Sequence, residues 1–145
     1  MSGPGYRFEN ELLNALRDSF PNTFSYRFKQ SKRVGQPWDL LVLPPHLCAI
    51  ECKSRDMSDR KTLKLESLFH EGQLEAEINS QERYGITAYL FLELRRGRGY
   101  TKRCYYESLK SISHKKIAVQ NPDMRKIERE EGEYIIPDNF PPEED

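Results

Sequence analysis

Apolar positions recur three and four apart over residues 6–20, where Leu12, Leu13, Leu16 and Phe20 form one stripe, and that period predicts an amphipathic helix. Glu9 falls on the same stripe, whereas Glu11 points away from it. Residues 23–30 alternate and are rich in aromatics, which predicts a first strand, followed by a basic loop around Gly35. Pro37–Leu43 and Leu47–Lys53 read as two apolar strands on either side of a Pro44-Pro45-His46 turn. Residues 54–65 are polar and basic without a period and are expected to form a loop. A second helix is expected over 66–84, with Leu68, His70, Leu74, Ile78 and Gln81 to one side and Tyr84-Gly85 as its stop. Ala88–Leu94 and Tyr100–Tyr106 read as strands around a basic turn. Beyond Pro122 the pattern fades; Tyr134–Pro137 is expected as a short edge segment, and Asn139–Asp145 as a mobile acidic end.

Within this pattern the hairpin is anomalous, because each of its strands carries an acid where a core residue belongs. If Leu43 faces Leu47 across the turn, the numbers of opposed residues sum to 90, and Asp39 lies opposite Glu51. Directly opposed Cβ atoms stand about 4.5–5.5 Å apart, and like charges so placed destabilise a sheet. Side chains alternate faces along a strand, so Glu51 and Lys53 share a face and Asp39 joins them. A Mg²⁺ or Mn²⁺ ion between the acids would turn the repulsion into ligation, since hard cations take carboxylate oxygens. The alternative is an exposed hairpin end with an incidental acid pair. The apolar run into Glu51 weighs against it. Glu9 is a candidate third ligand, although for that residue taken alone a first-turn glutamate favoured by the helix dipole is the better account.

Composition bounds the rest. The chain has 145 residues, enough for one domain with a real core, and no run of about 18 apolar residues to span a membrane. The first residues lack the apolar core of a signal peptide, and the three cysteines, Cys48, Cys52 and Cys104, form no C-x-x-C pair. Both features lead to the expectation of a cytoplasmic protein without a zinc site. The formal charge of zero hides an asymmetry: residues 128–145 hold eight acids against Arg129, leaving 22 basic and 15 acidic side chains in residues 1–127. The expected organisation is a single domain over 1–127 with an acidic tail over 128–145. Basic residues cluster at Arg27–Arg33, Lys53–Lys64 and Arg95–Arg103, the footprint of a polyanion partner.

Other motifs fall away. His70-Glu71-Gly72-Gln73-Leu74 begins like a zinc protease helix, but Leu74 stands where a second histidine is required. Gly97-Arg98-Gly99 is too short for a dinucleotide loop. Lone Trp38 suits the core better than a base-stacking platform.

Glu9 on a helix, Pro37-Trp38-Asp39, and Glu51-Cys52-Lys53 together resemble the PD-(D/E)XK nuclease superfamily. Gly5-Tyr6-Arg7-Phe8-Glu9 resembles the Gly-x-x-x-Glu opening of Holliday junction resolvases of the archaeal Hjc and bacterial RecU types. Phe69-His70-Glu71-Gly72-Gln73 resembles the RecU-type helix that brings a glutamine near the active site. The match covers roughly residues 5 to 106. The segment between the first helix and Asp39 is too short for the RecU stalk, and the overall length is nearer that of archaeal and phage enzymes.

The resemblance implies a restriction-endonuclease-like α/β core, a mixed central β-sheet flanked by helices, in a homodimer that binds DNA. It implies Mg²⁺-dependent paired nicks at a four-way junction in a prokaryotic cell or phage-infected host. Asp39, Glu51 and the backbone carbonyl of Cys52 would hold the metal, with Glu9 completing the shell. Lys53 would orient or deprotonate the attacking water, and Gln73 would position that water or a phosphate oxygen. Arg7, Arg27, Lys29, Lys32, Arg33, Arg55 and Lys61 are candidate backbone contacts. Another nuclease of the superfamily, acting on duplex or flap DNA, and a non-catalytic DNA-binding module remain as alternatives.

Overall fold

The computed structural model describes residues 4–28, 37–97 and 101–143. Helix α1 (Pro4–Ser19) buries Phe8, Leu12 and Leu16 completely, and Pro21, whose ring fits no helix interior, follows its end. Strands β1 (Ser25–Arg27), β2 (Leu40–Val42) and β3 (Cys48–Asp56) form an antiparallel meander. The chain then crosses over through β4 (Thr62–Lys64), a 3-10 turn (Leu65–Leu68) and α2 (Gln73–Tyr84). It returns as β5 (Ala88–Arg95), parallel to β3, the pairing that such a long helical connection permits. Strand β6 (Lys102–Ser108) follows, then β7 (Lys116–Ala118), which pairs with β4 in a separate ribbon. Strands β8 (Arg125–Glu130) and β9 (Glu133–Ile135) complete a seven-stranded mixed sheet of order β1-β2-β3-β5-β6-β8-β9.

Strand parity divides the core. Cys48, Ile50 and Cys52 of β3, with Tyr89 and Phe91 of β5, pack under α1. Ala49 and the alternate positions Leu90, Leu92 and Leu94 pack with Leu63, Leu65, Leu68 and Leu74 on the α2 side. Both faces are covered, so Cys48–Cys52 is buried throughout, as the centre of an α/β sheet requires. The three cysteines are free and buried, and Trp38 is buried among the α2-side residues. No helix among the described residues is long and apolar enough to cross a membrane.

Three expectations change. Residues 54–65 are not a loop: β3 runs on to Asp56, and β4 occupies Thr62–Lys64. The helix expected over 66–84 begins only at Gln73: Phe69 is extended after the 3-10 turn, Gly72 at φ 78° stands at the start of α2, and His70 is exposed rather than on the buried side. The acidic segment after Ile127 is in part built into the sheet, with Glu128, Glu130 and Glu133 on β8 and β9. The 127/128 boundary falls inside β8, Tyr134 of β9 is buried, and Phe140 is buried against Tyr89, Phe91 and Tyr106.

Candidate active site

The hairpin register is Leu40↔Ile50, Leu41↔Ala49 and Val42↔Cys48, the offset that sets Asp39 opposite Glu51. Asp39 lies just before β2 and is held by the backbone on both sides. Its N–H donates to the Ile50 carbonyl at 2.9 Å, and its own carbonyl accepts from the Phe28 N–H at 2.9 Å. Its carboxylate accepts the Cys52 N–H at 2.8 Å, which draws it across the hairpin to Glu51. Lys53 lies two residues beyond Glu51 on the same face, with Nζ 3.3 Å from Glu51 Oε2 and 5.0 Å over the Phe69 ring.

Glu9 enters from α1. Its carboxylate pairs with Arg27 Nε at 3.2 Å, and that guanidinium also donates to Asn10 at 2.6 Å and lies 4.1 Å over the Tyr6 ring. Arg27 is therefore engaged in holding Glu9 within the protein. From the opposite face, α2 brings in Glu77, which sequence reasoning missed. It is 2% exposed and sits against Glu51. The signal was present: Leu74, Glu77, Ile78 and Gln81 follow the i, i+3, i+4, i+7 spacing of a buried stripe. Gln73, one turn earlier, has its side-chain oxygen committed to the His70 N–H at 2.9 Å, and its amide lies near Glu77.

The electrostatics follow from this crowding. Burial raises all four acids above their ordinary values. Glu9 is pushed up to about 7 by burial and by the charge of Asp39, against the opposing pull of Arg27 and Lys53. Asp39 is raised by burial, against the Cys52 hydrogen bond and the charge of Lys53. Glu51 is raised by burial and then by Asp39 and Glu77, while burial leads for Glu77. As two ionised carboxylates Glu51 and Glu77 have no proton to exchange, and both Glu77 oxygens are then buried without a donor. A contact between them requires a shared proton or a cation.

Chemically the donor set is all oxygen and carries more negative than positive charge, which fits a hard divalent cation. Among the described residues no three acidic, histidine or cysteine side chains converge closely enough to hold one as they stand. Glu9 is drawn toward Arg27, and Glu51 toward Lys53.

The remaining candidates are spread more widely. Arg7 is exposed on α1. Arg55 is exposed at the end of β3, with its guanidinium on the Ser54 and Leu68 carbonyls. Lys61 lines a groove of about 870 Å³ with Arg60, Arg95, Arg96 and Arg103. Within it Arg103 is tied to the Val119 and Gln120 carbonyls, and Arg95 to Ser54, while Arg60, Lys61 and Arg96 are exposed. Lys29, Lys32 and Arg33 lie outside the described residues.

No protein-family model matches the chain, and no curated protein matches it in sequence. Among solved structures, that of Archaeoglobus fulgidus Hjc, a Holliday junction resolvase from an archaeal hyperthermophile, is similar with a TM-score of 0.49 and 21% identity, covering 90% of this chain and 85% of that one.

Proposed function

We propose that the chain is a divalent-metal-dependent endonuclease that resolves four-way DNA junctions by paired nicks, acting as a homodimer. The observation that carries the reading is the hairpin register, which seats Asp39 and Glu51 opposite each other with Lys53 on the same buried face. A phosphodiesterase centre needs carboxylates fixed on rigid elements beside a cation, and the placing of Asp39, Glu51 and Lys53 supports that reading.

Asp39 and Glu51, with the Cys52 carbonyl, would hold the metal, Mg²⁺ or Mn²⁺, and Glu9 would complete its surroundings. When bound, such an ion supplies charge neutralisation at the phosphate and lowers the pKa of a bound water. The chain's own groups do the remaining work. Lys53 holds its ammonium where it can orient that water or offset charge growing on the phosphate. The Phe69 ring lies 5.0 Å under that ammonium. Arg27 fixes the Glu9 carboxylate in place, and Gln73 steadies the start of α2 behind Glu77. The exposed cations Arg60, Lys61 and Arg96, together with Arg7 and Arg55, offer contacts for the phosphate backbone. Such contacts give affinity and salt dependence rather than sequence preference.

The test is cleavage of a synthetic four-way junction, a flap and a matched duplex, each with and without Mg²⁺. Symmetric paired nicks on the junction alone, dependent on Mg²⁺, are the expected result. Cleavage of all three substrates alike would replace junction resolution with a general nuclease activity. Binding without cleavage under any divalent ion would reduce the chain to a DNA-binding module.

A further inference from the structure

Among the described residues, Glu77 and Glu93 lie outside the hairpin and are more deeply buried than Glu9, and they are treated differently. Glu93 of β5, 1% exposed, is fully served: Ser54 Oγ donates at 2.7 Å, the Tyr134 hydroxyl at 2.6 Å, and Arg95 lies 3.9 Å away. Glu77 of α2, 2% exposed, has no well-formed hydrogen bond at either oxygen, with only the Glu51 carboxyl and the Gln73 amide beside it. Buried charge is retained only when paired or ligating, so Glu77 lacks what Glu93 has. Its place on α2 makes the lack specific. Leu74, Ile78 and Gln81 share its stripe, and a leucine there would pack at no electrostatic cost.

What surrounds Glu77 identifies the missing partner. Asp39 and Glu51 face it, both acidic, and the nearest cation, Lys53, is already paired with Glu51 at 3.3 Å. Three carboxylates thus share one ammonium. Glu9 reaches the same region from the α1 face but has Arg27 for itself. Three acids beside one paired lysine, with both Glu77 oxygens buried and without a hydrogen bond, leave this cluster short of positive charge.

We infer that Glu77 is a further carboxylate of the divalent-cation site, supplied by α2 from the face of the sheet opposite Glu9. The inference rests on the reading of Asp39 and Glu51 as cation ligands.

The test measures Mn²⁺ binding to the full chain without DNA, by electron paramagnetic resonance and calorimetry. Four variants are compared: Glu77→Gln, Glu77→Leu, Asp39→Asn, and Glu75→Gln on the exposed side of α2. Glu77→Gln and Glu77→Leu are expected to weaken Mn²⁺ binding by about 10- to 100-fold, with Glu75→Gln unchanged. Glu77→Leu replaces an unpaired buried charge with an apolar side chain, so it keeps a folded protein available even if the glutamine variant is unstable. If Asp39→Asn loses Mn²⁺ while both Glu77 variants retain wild-type affinity, the inference about Glu77 is overturned and the hairpin site stands. If Asp39→Asn also binds Mn²⁺ normally, the cation site itself is wrong and both readings fall.

Discussion

Replacing Asp39 with asparagine separates the chemistry of the hairpin from its architecture. The side chain now accepts the Cys52 N–H at 2.8 Å, and an asparagine oxygen can accept the same bond. A hydrogen bond to a charged group contributes about 1.5–3 kcal/mol and a neutral one about 0.5–1.5, so roughly 1 kcal/mol is lost there. Against this, the substitution removes a buried negative charge that is disfavoured by burial and that repels Glu51 and Glu9. The two effects oppose each other, and metal-free stability should stay within about 1 kcal/mol of wild type. A divalent cation at 100 times its dissociation constant should add about 2.7 kcal/mol to the wild type and little to the variant. Cleavage should fall by about 100-fold or more, since a metal contributes several kcal/mol at the transition state and about 1.4 kcal/mol corresponds to tenfold. The assay pairs urea unfolding with and without Mg²⁺ with junction binding and single-turnover cleavage. Wild-type cleavage by Asp39→Asn, or equal Mg²⁺ stabilisation of both proteins, would refute the reasoning.

Three further outcomes follow from the same geometry. Glu9 binds its proton more tightly folded than unfolded, so its contribution is fully present below about pH 4.5 and is lost as pH rises through about 7. Metal-free stability should therefore decline over that window, the share of Glu9 being on the order of 1–3 kcal/mol, and Glu9→Gln should make the decline shallower in urea unfolding at stepped pH, leaving the part due to buried Glu51 and Glu77. Replacing both Lys61 and Arg96 in the groove with alanine should weaken DNA binding across all sequences and reduce the slope of log affinity against log salt by about 2; an unchanged slope would remove the groove from the interface. Tyr134→Phe strips one donor from buried Glu93 and should cost about 1.5–3 kcal/mol, read by chemical denaturation, with Mn²⁺ binding unaffected.

The legible parts of the site were those that local periodicity encodes. Period two along β2 and β3, joined by a short turn, is enough to place Asp39, Glu51 and Lys53 together, and the register agrees. Period 3.6 is enough to put Glu9 among Phe8, Leu12 and Leu16. The end of the chain was harder to read because β8 is Arg-Lys-Ile-Glu-Arg-Glu, in which Ile127 alone is buried. A strand with one inward apolar residue and charges elsewhere leaves almost no alternation to detect. The stretch 54–65 failed differently: β4 is three residues long and owes its form to pairing with β7, more than fifty residues away.

The sequence by itself determined which side chains face inward on α1, β2 and β3, because there the period of the backbone runs unbroken through apolar residues. Only the tertiary structure decided which inward faces meet. It brought Arg27 to Glu9, leaving that arginine engaged within the protein, and it brought Glu77 down on Glu51 from a helix that begins only at Gln73. It also enclosed Glu93 with Ser54 and Tyr134 while leaving Glu77 without a well-formed hydrogen bond. Contacts between distant segments depend on how whole faces pack to exclude water, a property of the summed surface that no short window of residues contains.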